Sequence, residues 1–555
     1  MPWTARSRTV AGMIAATAIF AVLAYHRRWI SDDGLIVVRT VRQILDGHGP
    51  VFNGFERAEA NTSTLWTYLL VVVIGLTRGD PTITTVVTGW VLSVAGLAIA
   101  MDATRRWHRA RGSDATLVPA GALVVLAVFP FWDYATSGLE TGLSMCWIAT
   151  SWWLLVTTRR PLVMAVVFGL GPLVRPDLAL VSGVFLVAAW FLVRPSRRQT
   201  VALAAAAIAL PVAYEIFRAG YYGTLVPLPA LAKGATGARW ERGVLYVWDY
   251  VKPYLVWLPA GVLVAQVVVM RKRLALAARD RWLVAAPLAG AVLTLLYVVR
   301  VGGDFMHARM CLPPTFMVLL PAMVLPLRRV STPAIAVLAL WALAIGILRG
   351  NGRSYASAMR VEDEHYGYVR WTKDPHPITA QAFIDADRPP STEVENAVRD
   401  HRRVLVSEGG VIVPLAPTHD GPVAFAVGRL GCGGAVVPLD GIVVDTFGLA
   451  NPLGSRITAT NPAYPGHEKS LPWSWILADF ADPSIDTQGI AGTTPEAIRA
   501  ARHAMTCGDL AELLASVREP MTAARFWDNL TGAVSRTRLE IPSDPIEAEK
   551  KFCGP

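Results

Sequence analysis

Residues 83–101 read ITTVVTGWVLSVAGLAIAM, nineteen positions without a charged side chain, and DATRRWHRAR follows at 102–111. A helix needs about 20 apolar residues to cross a bilayer, and a cluster of arginines at its end marks the cytoplasmic side. The stretch therefore predicts a membrane span that ends inside.

The same pattern recurs on both sides of it. Apolar runs occupy 9–25, 117–131, 143–157, 161–173, 178–193, 201–217, 254–270, 282–299, 312–327 and 334–348, which makes eleven expected spans. Several are shorter than a perpendicular crossing needs, so flanking Trp, Tyr and Arg must complete them. The first run follows Arg6 and Arg8 like the apolar region of a signal peptide, but so many spans come after it that a retained anchor is expected. With 53% hydrophobic and 17% charged residues over 555 positions, a soluble enzyme or a disordered chain is excluded. Five cysteines cannot staple a chain of this length into a disulfide-dense scaffold. A helical multi-pass membrane protein remains.

Topology follows from parity. If the run at 64–76 is left out as an interfacial or re-entrant segment too short to cross, every basic cluster falls on one face. These are Arg6/Arg8, 105–111, Arg159/Arg160, 194–198, 271–281 and Arg328/Arg329. Asp32, Asp33, Glu56, Glu59, Asp133, Glu140, Asp177, Asp249 and Asp304 then lie in outer loops. Carboxylate chemistry is expected on the outer face of the plasma membrane.

The net charge of +10 divides unevenly. Residues 1–349 hold 33 basic and 16 acidic residues, whereas 350–555 hold 19 and 26. The basic excess sits at span ends, where it sets topology, and no nucleic-acid partner is read from it. Two domains are expected: a transmembrane domain over 1–349 and an outer α+β domain over 350–555, with turns at Gly409-Gly410, 431–434 and Asn461-Pro462. Strands are expected at 404–406, 422–427 and 441–444, and helices at 495–505 and 510–517.

The first outer loop opens Ser31-Asp32-Asp33-Gly34 and runs into 35–45, where Val37, Val38, Val41, Ile44 and Leu45 share a face opposite Arg39, Arg42 and Gln43. That pattern predicts an amphipathic helix on the membrane surface, capped by Ser31 and ended by Gly47. Asp32 and Asp33 fall in its first turn, where the helix dipole favours the ionised form, the species that accepts a proton from a hydroxyl. Helix capping alone is the plainer explanation of the pair. Three more outer loops return polar groups to the same face: 134–141, 174–177 and 300–309. Arg175, Arg300, Arg309 and His307 are donors suited to a phosphate, although Asp177 and Asp304 offer the arginines simple loop-tying partners instead. Mg²⁺ or Ca²⁺ would suit Asp32 and Asp33 beside a phosphate, but the sequence does not demand a metal. Zinc spacing, a Walker or dinucleotide loop and a Gly-x-Ser-x-Gly elbow are all missing from the sequence. Of the cysteines, Cys507 and Cys553 are the pair expected to bridge in an oxidising compartment.

Asp32-Asp33-Gly-Leu-Ile, Gly47-His-Gly-Pro-Val-Phe-Asn53, Glu56-Arg57, Glu59-Ala-Asn-Thr-Ser-Thr-Leu-Trp66, Ser137-Gly-Leu-Glu-Thr141, Gly302-Gly-Asp-Phe-Met-His-Ala-Arg309, Asp445-Thr-Phe-Gly-Leu449 and Gly466-His-Glu-Lys469 together resemble the GT-C glycosyltransferases. Within that group the chain resembles the terminal β-(1→2)-arabinofuranosyltransferases of the mycobacterial cell wall. The resemblance implies a GT-C fold, decaprenyl-phosphoryl-arabinofuranose as donor, and arabinan of arabinogalactan and lipoarabinomannan as acceptor. It implies a catalytic carboxylate at Asp32, with Asp33 as alternative or partner; no cofactor is expected to be required. Donor-phosphate contacts are then expected from His307, Arg309, Arg175 and Arg300. Further substrate contacts are expected from Glu56, Glu59, Trp66, Glu140, Asp177 and Asp304. Trp66, Tyr134 and Tyr222 are candidates to stack on sugar rings, interfacial anchoring being the competing use. A lipid-linked sugar transporter or flippase is the rival class, but its ionisable residues belong in mid-membrane rather than in outer loops.

Overall fold

A computed structural model of the chain describes residues 4–158, 160–233, 237–270, 277–349, 361–388, 390–459 and 467–554. Arg159, residues 271–276 of one basic cluster, residues 350–360 beyond the expected domain boundary, Asn461-Pro462 and Gly466 lie outside the described residues. By compactness the chain forms two units, each discontinuous in sequence. One comprises Met1–Trp29, Val86–Pro211 and Ala238–Gly367; the other comprises Ile30–Thr85, Val212–Gly237 and Tyr368–Pro555.

Among the described residues five helices are long and apolar enough to cross a bilayer: Ala5–His26, Pro81–Ala110, Pro176–Val193, Arg197–Tyr222 and Ala278–Val301. They suit a membrane-associated protein. The other expected spans are shorter or broken, and proline supplies the reason for two of them. The 117–131 run divides at Pro119 and Pro130 into the strand Leu117–Val118 and the helices Ala120–Ala127 and Pro130–Asp133. In the 312–327 run, prolines at 313, 314, 321 and 326 leave only the helix Leu312–Leu319, a 3-10 turn and the strand Leu325–Pro326. The two short strands pair antiparallel. Residues 64–76 form the helix Thr64–Thr77, at 14 residues only about 21 Å long against the ~30 Å hydrocarbon layer.

Small residues let helices of the first unit meet backbone to backbone, the usual device where water does not drive association. A Cβ at Gly142 would overlap the Gly89 carbonyl, one at Gly169 that of Ala207, and one at Gly243 that of Val299.

The second unit is built on a four-stranded sheet. Strands β1 (Val404–Ser407), β2 (Ile412–Pro414), β3 (Val423–Val427) and β4 (Ile442–Asp445) lie in the order β2-β1-β3-β4. The β1–β3 and β3–β4 pairs are parallel, and β2 runs antiparallel at the edge. Every residue of β3 and β4 is buried, as expected for parallel strands covered on both faces. The helix Leu430–Val436 makes the crossover from β3 to β4. One layer of core beside the sheet includes Trp475, Leu477 and Leu513; another includes Phe52, Val394 and Phe425. The helices expected at 495–505 and 510–517 are Pro495–Ala504 and Gly508–Arg518. A disulfide joins Cys507 to Cys553.

Candidate functional site

Ser31, Asp32 and Asp33 begin the helix Asp32–Leu45 as their chemistry requires. Ser31 has extended backbone angles, and its hydroxyl accepts the Gly34 N–H at 3.0 Å. Asp32 and Asp33 occupy the first turn, and Gly47 follows with φ +90°. What the sequence did not disclose is the partner. The N–H of Cys432 donates to Asp32 Oδ1 at 2.7 Å, at the start of the crossover helix Leu430–Val436. This is the carboxyl end of the parallel strands, where open α/β sheets usually place ligands. Asp32 stays half-buried, with part of its surface open. Burial pushes its pKa up to about 6, even though hydrogen bonds from the Cys432 thiol and N–H pull the other way; Asp33 beside it adds to the rise. Such a carboxyl holds or yields a proton near neutrality.

Close approach makes that geometry possible. A Cβ at Gly431 would overlap the carbonyl oxygen of Asp32, so the crossover helix can reach the Asp32 turn only with glycine there. Arg39, two turns along, secures the other end. Its Nε donates to Phe52 O, Nη1 to Gly434 O and Val437 O, and Nη2 to Pro438 O and Gly441 O, all between 2.7 and 3.1 Å. Gln43 adds a bond to Leu439 O at 2.9 Å. The expectation that Arg39 and Gln43 line a solvated polar face is therefore corrected: both are buried, and carbonyl groups replace water around them. Four of those carbonyls lie at or beyond the C-terminus of Leu430–Val436, where a cation is favoured.

Glu56 and Glu59, from the loop after this helix, face inward. Arg518 makes a bidentate pair with Asp479 at 2.8 and 2.6 Å and reaches Glu56 at 3.4 Å. Burial, opposed by Arg518 and reinforced by Asp479, raises the Glu56 pKa to about 7. Glu59 is held by Arg218 at 2.6 Å and by the Tyr214 hydroxyl at 2.6 Å. Trp66 has no exposed surface. Tyr222 is buried with its hydroxyl on Pro50 O. Both aromatic side chains face protein, not an open sugar-binding surface.

In the other unit, three loops expected to share a surface do meet. Arg175 Nε and Nη2 grip Asp177 at 2.7 Å each, and its Nη1 lies 3.9 Å from Glu140. Arg309 stands 3.7 Å from the same Glu140 oxygen and 3.5 Å from Asp304. Burial lowers the pKa of Arg175, but the carboxylates of Asp177 and Glu140 more than reverse this and keep it charged. Arg309 Nη1 also donates to Met306 Sδ at 3.2 Å. Arg300 is exposed at the end of its helix. His307 differs from expectation: Nδ1 is 2.9 Å from Asp249 and Nε2 3.1 Å from the Tyr254 hydroxyl, with the ring buried. Both nitrogens already have partners, so the ring orients its surroundings rather than presenting a donor outward. Tyr134, also buried, donates to the His307 carbonyl at 3.0 Å. From sequence Tyr254 is the first residue of the apolar run at 254–270 and carries no signal of a polar role.

Among the described residues, the set of His, Cys, Asp or Glu side chains near enough to share a cation is His503, Cys507 and Cys553, and the disulfide occupies two of these. Asp32 and Asp33 belong to no such set.

Residues 416–551 match the model of the AftB family C-terminal domain. Over the whole length the chain is similar to the terminal β-(1→2)-arabinofuranosyltransferase of Mycobacterium tuberculosis, 35% identical over 97% of this chain and 96% of that protein. It is equally similar to the terminal β-(1→2)-arabinofuranosyltransferase of Corynebacterium glutamicum, 35% identical over 97% of this chain and 87% of that one. No solved structure matches the chain.

Proposed function

The chain belongs to the family of terminal β-(1→2)-arabinofuranosyltransferases, and we propose on that premise that it transfers arabinofuranose to the non-reducing ends of cell-wall arabinan, closing them with β-(1→2) linkages on arabinogalactan and lipoarabinomannan. The donor is decaprenyl-phosphoryl-arabinofuranose, and the enzyme is a multi-pass GT-C protein of the plasma membrane working at its outer face.

The observation that carries this reading is the setting of Asp32. A carboxyl at a helix start, partly open, with a pKa of about 6 and one oxygen bonded by Cys432, supports a role toward a hydroxyl or a developing sugar cation. If the reaction inverts configuration, Asp32 takes the proton of the acceptor hydroxyl as that oxygen attacks the anomeric carbon and the C1–O bond to decaprenyl phosphate breaks, releasing the phosphate anion. If a β-linked donor gives a β-linked product, configuration is retained. Asp32 then either attacks the anomeric carbon as decaprenyl phosphate leaves, to be displaced in turn by the acceptor oxygen whose proton passes to the phosphate, or it stabilises an oxocarbenium-like state while the departing phosphate takes the acceptor's proton. Asp33, in the same turn, is the alternative bearer of this role. No cofactor enters either scheme.

Arg309 and Arg300 are assigned to the donor phosphate as guanidinium groups of the same outer loop, the second of them exposed at its helix end. Arg175 and Arg309 share Glu140, and His307 is a positioning residue held between Asp249 and Tyr254. The test is transfer by the purified protein from decaprenyl-phosphoryl-arabinose to a synthetic α-arabinofuranoside, with the product linkage read by NMR. A β-(1→2) product is expected. Another linkage, or no transfer by well-folded protein, would overturn the assignment.

A further inference from the structure

The second unit contains a cleft that the proposed chemistry does not use. Its volume is about 770 Å³, within the range of ligand sites, and its walls include His48, Phe55, Thr418, Asp440, Arg502 and Arg518. Three properties indicate what fits. Arg502 Nη2 is buried with no hydrogen-bond partner, while Nε makes only a long bond to Ala478 O at 3.4 Å. A buried donor left in this state is one that a ligand oxygen would satisfy. Phe55 is part-exposed, with His419 at 5.2 Å, Phe480 at 6.0 Å and the Arg518 guanidinium over its ring at 5.4 Å, and it gives the wall an apolar patch for the C–H groups of a sugar. The cleft also carries two guanidinium groups and three carboxylates, those of Asp420, Asp440 and Asp479. That surplus of negative charge disfavours a phosphate-bearing lipid and suits a neutral, hydroxyl-rich chain.

Distance from the chemistry follows from the helix geometry. Asp32 opens the Asp32–Leu45 helix, whereas His48 follows its end; 14 residues at about 1.5 Å each separate them by roughly 20 Å. The crossover helix repeats this arrangement, with Cys432 on Asp32 at its start and residues 439–442 in the cleft wall past its end. A single sugar cannot touch both places.

We propose that this cleft is a distal subsite for the acceptor, binding neutral furanose residues several positions back from the end that receives the new sugar. The proposal rests on the transferase reading above. It makes the enzyme favour long acceptors over short ones, because only a long chain gains the distal contacts.

Full-length protein in detergent would be titrated, without donor, with an arabinofuranosyl disaccharide and with a longer arabinofuranosyl oligosaccharide, and compared with Arg502→Ala and with Thr418→Trp, which fills the cleft from an exposed position. Loss of one charge-assisted bond predicts about a tenfold weaker Kd for the oligosaccharide in Arg502→Ala. Thr418→Trp should weaken it at least as much, with disaccharide binding unchanged in both. Undiminished oligosaccharide binding in both variants overturns the proposal, as does an equal loss for the two probes. Wild-type protein that binds the oligosaccharide in this cleft but transfers nothing to either acceptor supports the subsite and refutes the transferase reading instead.

Discussion

The main-chain N–H of Cys432 lies 2.7 Å from the carboxylate of Asp32, 400 positions earlier in the chain. This one bond couples the first acidic loop to the crossover helix of the α/β sheet. The reactivity of Asp32 is thereby set by residues that no local pattern would connect to it.

A pH dependence follows. Burial holds the Asp32 pKa at about 6 against the donors on Cys432. Below that value the proton stays on and the carboxylate is lost, so kcat/KM should fall as pH drops through about 6 and level off above it. Cys432→Ala removes the thiol donor but not the N–H. It should move the acidic limb to higher pH, which a pH–rate profile of the two proteins would show. An unmoved limb would separate Asp32 from the titration.

Gly431 tolerates no side chain, because the space its Cβ would need is filled by the Asp32 carbonyl. Gly431→Ala should cost about 1–3 kcal/mol of stability by overpacking and lower kcat by displacing Asp32, while KM for donor changes less. Thermal unfolding and steady-state kinetics on one preparation check both.

Arg39 is the residue whose loss should be felt most in folding. Burial pulls its pKa down to about 9, with Arg42 adding to the fall, and five carbonyls take its donors. Removing it strands those carbonyls, so Arg39→Met should destabilise by about 3 kcal/mol or more. Arg39→Lys, with three donors in place of five, should recover only part of this. Denaturant unfolding of the three proteins measures the order.

His307, Asp249 and Tyr254 form one chain of hydrogen bonds. His307→Ala and Asp249→Asn should each reduce transfer, and the double variant should lose little more than the worse single one. Additive losses would mean that the two residues act separately. An unchanged rate in His307→Ala would mean that this chain of hydrogen bonds plays no part in transfer.

Much of this arrangement could be read from the sequence, and the parts that could not share a physical cause. Ser31-Asp32-Asp33-Gly34 with Gly47 downstream announces its helix because capping is a local transaction within a few residues. Strands β1, β3 and β4 announce themselves as short apolar runs between Gly and Pro turns. The fate of Arg39 is invisible in the same way that Cys432 is: whether a charged side chain is solvated or buried depends on carbonyls supplied from nearly 400 residues away. Trp66 reads as an interfacial ring, and only the tertiary structure shows it fully enclosed. The run at 312–327 is apolar enough for a span by composition, yet its four prolines cut the helix short.

Dependence of sugar transfer on the Asp32 carboxylate is measured by comparing Asp32→Asn and Asp33→Asn with wild type at saturating donor and acceptor, after near-ultraviolet circular dichroism has shown the three folds to match. Asp32→Asn should lose at least about a hundredfold in kcat, the scale of a general base or nucleophile, while Asp33→Asn should keep most of its rate. Full activity in Asp32→Asn would contradict that dependence.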